Sequence, residues 1–526
     1  MPRPAILLKR SLIFIHRWLG VALSILFGLW FCSGIVMMYW DFPGVSQQDR
    51  LEHAPALNPD SIKLTPEKAW AALGRDGAPG SATLTSFDGR PIYRFGGEGG
   101  GGRRLRSGES LTVYADDGSR QTEVNDAMLD RAASAWTKQP IATARKESVT
   151  EVDQWTVDGQ LRSLRPLYKY SFADGQQVYV SGIDAQIMQY TTRESRFWAY
   201  LGAIPHWIYF TEFRKNQPQW FQFVVWTSGI GTIAALLGLI IAIWMYSPAK
   251  KYRHAGAPTS IPYRGWKRWH TIIGLSFGFI TATWAFSGLL SMGPFDFVDR
   301  LTGNEGRGRG ASVNIAGALR GPTRFSLSAY EAKNPAEAIA SLGAGFQTKE
   351  IEFTTFAGKP IYMASDGAGA TRIVPLDGAP KTEFDRNRIL DIVRHAAGSH
   401  LAEMRVMNEY DAYYLDRTGR RPLPVVYARM NDEGHTRYYI DVKTGQIAGN
   451  YSSRNWVNRW LYHGLHSLDF PWLYKHRPLW DIVVILLMLG GTAVCVTSLV
   501  LTWRVLKRKV SPLLPIFKPA PVEDLA

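Results

Sequence analysis

Four stretches of the chain, about 11–40, 219–246, 266–292 and 479–504, are long and apolar enough to cross a bilayer, which takes roughly 20 helical residues. The two long segments between them, roughly 41–218 and 293–478, read differently. Short alternating runs such as Gln177-Val178-Tyr179-Val180 and Arg437-Tyr438-Tyr439-Ile440 have the period of strands. Thr65-Pro66-Glu67 and Asn334-Pro335-Ala336-Glu337 carry the signature of helix starts, with Pro in the first turn. The pattern predicts four membrane helices and two small α+β domains. The first apolar run is long, rich in Trp and Phe, and lacks a small-residue cleavage site, so it is expected to remain as an anchor rather than be removed as a signal peptide.

The two halves of the chain are copies of each other. His16-Arg17-Trp18-Leu19-Gly20, followed by Trp30 and Ser33-Gly34, recurs 254 residues later as His270-Thr271-Ile272-Ile273-Gly274, Trp284 and Ser287-Gly288. Phe87-Asp88-Gly89-Arg90-Pro91-Ile92-Tyr93 recurs as Phe356-Ala357-Gly358-Lys359-Pro360-Ile361-Tyr362, and His206, Phe210, Pro218 and Trp220 recur 260 residues on as His466, Phe470, Pro478 and Trp480. Each half therefore reads as a histidine-led helix, an α+β segment, a second histidine and a returning helix. A unit with two spans ends on the side where it began, so its copies insert in parallel about a pseudo-twofold axis along the membrane normal. The expected fold is an all-α membrane four-helix bundle, duplicated from a two-span unit, with two α+β domains outside it.

Charge orients this arrangement. Arg3, Lys9, Arg10 and Arg17 flank the first span, Lys250, Lys251, Arg253, Arg264, Lys267 and Arg268 fill the short 247–265 loop, and Arg504, Lys507, Arg508 and Lys509 follow the last span. Basic flanks face the cytoplasm, which puts 41–218 and 293–478 outside it, and the 505–526 tail within. The net charge of +15 needs no nucleic-acid partner to explain it, and no nucleic-acid motif is present. Neither Cys32 nor Cys495, both within apolar helices, can build a disulfide framework, a zinc or iron–sulfur site, or a covalent haem attachment. The glycine run Gly99 to Gly102 follows no clear strand and opens no helix, so it reads as a flexible loop and not a phosphate cradle.

A histidine placed twice at one depth in a membrane helix is costly without a partner or a metal. The parallel duplication tends to oppose His16 to His270 near the cytoplasmic face and His206 to His466 near the outer face. Two opposed imidazoles at equal depth are what a six-coordinate b-type haem requires, so these four are read as axial ligands of two haems b. His463, three residues before His466, is an alternative outer ligand or a propionate partner. Small residues recur at every fourth position after each inner histidine, Gly20, Ser24 and Gly28 in one helix and Gly274, Gly278 and Ala282 in the other. They could border a flat macrocycle or simply allow tight helix contact. The tryptophans at 198, 207, 220, 456, 460, 472 and 480 fit an interfacial aromatic belt.

With His16, His206, His270 and His466 in these positions, the chain resembles the PepSY-associated transmembrane family over nearly its whole length, and most nearly its bacterial inner-membrane reductases of ferric siderophores. It departs in having Pro205 where Leu usually precedes the histidine. The resemblance implies PepSY-like periplasmic domains that dock a substrate, and outward electron transfer to a periplasmic ferric siderophore. Its cytoplasmic pieces are expected to be too short for a fused flavin domain, so the donor is expected to be separate, a quinol or a cytoplasmic flavoprotein. Two other roles remain open on the residues alone: a cytochrome b subunit for another periplasmic reductase, and a haem-free scaffold whose external domains bind an envelope protein or peptidase. Few ionisable residues other than the histidines and Asp481 lie in the spans, which disfavours a transporter.

Overall fold

The computed structural model describes residues 4–75, 77–98, 111–157, 159–293, 313–322, 326–416 and 419–510. The Gly99–Gly102 run and the tail after 510 lie outside the described residues. The chain divides into two compact units, one made of 1–42, 197–305 and 455–526, the other of 43–196 and 306–454.

The first unit contains four helices long and apolar enough to cross a membrane: Pro4–Met37, Gln217–Met245, Gly265–Ser291 and Leu479–Val510. Their outward faces carry large apolar side chains, among them Ile25, Trp226, Phe279 and Trp503, each about two-thirds exposed. Their inward positions are small, with Ser24, Ser33, Gly34, Ser228, Gly231, Gly278 and Ser287 buried. Large outside and small inside is the reverse of a water-soluble domain and suits helices whose outer solvent is lipid. The first helix packs on the second and fourth, and the third packs on the same two, so the first and third stand diagonally opposed. Glycines make the close contacts. Gly231 receives the ring of Phe27, Gly490 that of Phe277 and Gly491 that of Phe31, all at separations that a Cβ would block.

The second unit is built of three larger antiparallel sheets. One four-stranded sheet runs Arg145–Val149, Leu167–Ser171, Gln177–Ser181, Ile187–Thr191, and its counterpart runs Leu401–Met407, Val425–Met430, Arg437–Asp441, Ile447–Tyr451. Helices Asp126–Thr137 and Arg386–Ala397 supply Leu129, Ala133 and Trp136, and Ile389, Val393 and Ala397, to the respective cores. The third sheet belongs to both copies. Its order is Thr371–Pro375, Lys359–Ser365, Glu350–Phe356, Pro79–Phe87, Arg90–Glu98, Thr112–Tyr114. At its centre Ala82 pairs with Phe353, Thr83 with Glu352 and Leu84 with Ile351. Thr83 and Glu352 occupy the same position in the two copies, so the pseudo-twofold passes through this pair. The two α+β segments that the sequence predicts thus share one sheet, since pairing their two edge strands satisfies backbone groups that either copy alone would leave open.

Both copies close their hairpin with a two-residue turn in the left-handed region, Asp88-Gly89 (φ 52° and 77°) and Ala357-Gly358 (φ 51° and 78°). This is the turn whose twist matches that of the flanking strands.

Candidate functional site

The diagonal packing brings the predicted histidines together in pairs. The rings of His16 and His270 lie 6.2 Å apart between centroids, inclined at 32°, and those of His206 and His466 lie 6.0 Å apart at 67°. In each pair the two members are equivalent residues of the two copies. Along the first helix, His16 and Ser33, which touches His206, are separated by 17 residues, roughly 25 Å of helix, so the pairs form two distinct centres.

Every one of these rings is anchored through Nδ1 by another element. His16 Nδ1 lies 3.0 Å from the Ala234 carbonyl, and His270 Nδ1 lies 3.0 Å from Thr497 Oγ1. His206 Nδ1 lies 3.1 Å from Ser33 Oγ and 3.2 Å from the Trp30 carbonyl, while His466 Nδ1 lies 3.1 Å from Ser287 Oγ. The hydroxyls spend their own protons elsewhere: Ser33 donates to the Leu29 carbonyl, Thr497 to that of Val494 or Ala493, and Ser287 to that of Trp284. Each hydroxyl therefore accepts, each ring donates from Nδ1, and Nε2 carries the lone pair. That is the tautomer in which histidine binds a metal, held by the kind of outer partner that metal-bound histidines have.

The elements that present His206 and His466 are short and fixed from behind. His206 lies on Ala203–Trp207, which ends at Ile208 with φ 56°, and His466 lies on Leu465–Ser467, which ends at Leu468 with φ 52°. The indole of Trp220 donates to the Trp207 carbonyl at 2.9 Å, and that of Trp480 to the Ser467 carbonyl at 3.1 Å. Both indoles are buried, so these two tryptophans pin the histidine turns, whereas Trp456 and Trp472 are exposed as an aromatic belt requires. Pro205 is accommodated because Ala203–Trp207 begins only two residues earlier, where a backbone N–H has no intrahelical acceptor. In the second copy the approach is a π-helix, Val457–Gly464. His463 lies on it beside Tyr462, 4.6 Å between centroids, and it is His466 that faces His206.

The surroundings of the rings are shaped by small residues and aromatics. A Cβ on Gly238 would stand 2.5 Å from His16 Cε1, and Gly34 and Gly288 lie against Cε1 of His206 and His466 at 3.5 and 3.8 Å. Among the described residues, no atom outside its own helix lies within 4 Å of where a Cβ on Gly274 would be, and one on Gly20 would meet only Ser498 Oγ, at 3.6 Å. Gly274 is therefore not a tight helix contact. A cavity of about 270 Å³ beside His206 and His466 is walled by Phe31, Trp207, Trp220 and Trp284. Trp284 Nε1 is sealed from solvent with no hydrogen-bond partner among the described residues.

Metal–nitrogen bonds to histidine run about 2.0–2.1 Å and a ring nitrogen sits about 1.1 Å from its centroid, so two imidazoles on opposite sides of one metal have centroids roughly 6 Å apart. Both pairs match that spacing. No third His, Cys, Asp or Glu joins either pair among the described residues. A bare metal ion needs more ligands than two, whereas a metal that arrives in a tetrapyrrole needs only the axial positions filled. The sequence points to all four histidines. It does not single out Ala234 or Thr497, since a backbone carbonyl has no signature, but the repetition of Ser33 as Ser287 is a signal that could have found those two. Against known proteins, the chain matches no family model and no curated protein.

Proposed function

We propose that the protein is a di-haem b electron-transfer protein of the bacterial inner membrane, a member of the PepSY-associated transmembrane group, that reduces a periplasmic ferric siderophore. In this reading the four long helices form a membrane bundle and the second unit is a periplasmic pair of PepSY-like domains. The observation that carries the reading is that equivalent histidines of the two copies face each other in two pairs, at 6.2 and 6.0 Å, each ring anchored through Nδ1.

His16 and His270 would hold one haem, His206 and His466 the other, with Gly20 and Gly274 bordering the first. When bound, haem b supplies a one-electron Fe(III)/Fe(II) couple. Held by two histidines at each centre, the group would serve electron transfer rather than oxygen chemistry. The bonds from Nδ1–H to Ala234, Thr497, Ser33 and Ser287 would keep each ring's orientation fixed toward a bound group. The ferric substrate is held by hard oxygen donors, and gaining an electron lowers its charge density and weakens that hold. The donor is a separate quinol or flavoprotein.

The test is the reduced-minus-oxidised visible spectrum of the detergent-purified protein with a haem count, alongside His16→Ala and His466→Ala. The expected result is about two haems b per chain and about one lost with each substitution. A colourless protein from haem-replete cells would sink the reading and favour a haem-free scaffold. Haems without any reduction of a ferric siderophore would point to a cytochrome b subunit serving another acceptor.

A further inference from the structure

The duplication supplies an internal control for the second unit, because the same cavity exists twice and has been used differently. In the second copy a cavity of about 350 Å³ is lined by Thr355, Phe356, Gly445, Gln446 and Ile447. There Phe384 stacks on Phe356 at 3.9 Å, and the helix Ile315–Arg320 bonds the hairpin turn through Leu319 O to Ala357 N and Arg320 O to Gly358 N. In the first copy the matching residues Ser86, Phe87, Ala185, Gln186 and Ile187 line a cavity of about 930 Å³.

In the wall of the larger cavity Arg94 stands where the other copy has an apolar residue. Arg94 pairs across its sheet with Thr83, as Met363 pairs with Glu352, so Arg94 and Met363 are equivalent positions. Met363 is 3% exposed and packs in an apolar core. The fold therefore does not require a cation at this position. Arg94 Nε is sealed from solvent and has no hydrogen-bond partner among the described residues. Two acids act on Arg94 only across space, Asp184 and Glu350, and Arg50 opposes them. Glu350 is a weak counter-charge, since burial pushes its carboxyl above the usual range and Gln47 occupies its oxygens at 3.4 Å. Asp88 is already committed to Arg131 at 2.5 and 2.7 Å. Arg50 is oriented into the same wall by its bond to the Ile187 carbonyl at 3.1 Å.

The cavity wall carries Arg50, Arg94, Arg131 and Lys138 against the two acids Asp88 and Glu350, a positive excess that suits an anion. We propose that this cavity binds an anionic, oxygen-rich small molecule, a polycarboxylate or the ferric chelate of one, with Arg94 and Arg50 as its cationic contacts. That the anion is a ferric chelate rests on the reductase reading; the anion site itself does not.

Calorimetric titration of the full chain in detergent, with citrate and separately with gallium(III) citrate, tests this. Gallium is not reduced, so binding is read without electron transfer, and the haem spectrum of the same sample reports on the reductase reading independently. The expected result is saturable binding that weakens about tenfold to a hundredfold in Arg94→Met, the loss of charge-assisted hydrogen bonds. Arg94→Lys should fall between, and Arg320→Met, in the smaller cavity, should bind as the parent does. Tighter binding of the gallium complex identifies the chelate as the ligand, and equal binding identifies the free carboxylate. No saturable heat with either probe, or undiminished binding in both Arg94 variants, overturns the proposal.

Discussion

Ser33 and Ser287, equivalent residues of the two copies, each accept a hydrogen bond at 3.1 Å from the Nδ1 of a histidine on another element, His206 and His466 respectively. Both hydroxyls are tied within their own helices, so each serine acts as a fixed acceptor. If the two rings are metal ligands, Ser33→Ala should loosen the His206/His466 centre, lowering cofactor retention by roughly 10–100-fold. The His16/His270 centre should be unaffected. The measurement is the haem count after dialysis together with a redox titration that resolves the two centres. Loss at both centres, or at neither, would contradict the assignment.

If His16 and His270 hold a haem, Gly238 and Gly274 separate packing from cofactor space. Leu at 238 would collide with the His16 ring, while a Cβ at 274 would meet no atom of another element among the described residues. Gly238→Leu should therefore lower thermal stability and remove one haem. Gly274→Leu should remove or perturb that haem with little change in the stability of the haem-free protein. Full haem retention in Gly274→Leu would show that the open space there is not the macrocycle's.

Glu350 and Glu352 lie on the central strand of the shared sheet, and burial raises both carboxyls above their usual 4.5. On unfolding these groups ionise at the ordinary value, so between 4.5 and the folded value the native state holds more protons than the unfolded one. Stability contributed by their neutral forms is complete below pH 4.5 and is lost as pH rises through the folded value. Glu352→Gln should flatten that part of the profile of apparent Tm against pH. An unchanged slope in the Glu350→Gln, Glu352→Gln double variant would refute this account.

The Ala357 turn is a correctable defect. Its φ of 51° is the conformation that Asp88 adopts in the other copy, and an alanine there lacks the side chain that tolerates it. Ala357→Asn should stabilise the second unit by about 1 kcal/mol, read as a raised Tm. Asp88→Ala should do the reverse and also strip Arg131 of its ion pair at 2.5 Å.

The chain's one-dimensional pattern determined a good deal. Four helices suited to a membrane follow from runs of apolar residues, because a spanning segment must satisfy its backbone internally and meet lipid on its outside. The facing of His16 with His270, and of His206 with His466, follows from gapless spacings of 254 and 260, because copies inserted in parallel put equivalent residues at equal depth. Tertiary structure alone decided what holds those rings. Ala234 contributes only a carbonyl, and Thr497 and Ser33 become acceptors only once their own protons are spent within a helix. The shared sheet was likewise invisible, since an edge strand's sequence does not say which edge it will meet. Arg94 shows the same limit most plainly. In sequence it is one more basic residue on a strand, and only the packing of the two equivalent cavities, the smaller narrowed by Phe384 and the larger open, makes it a cation in a cavity wall, with its Nε unbonded among the described residues.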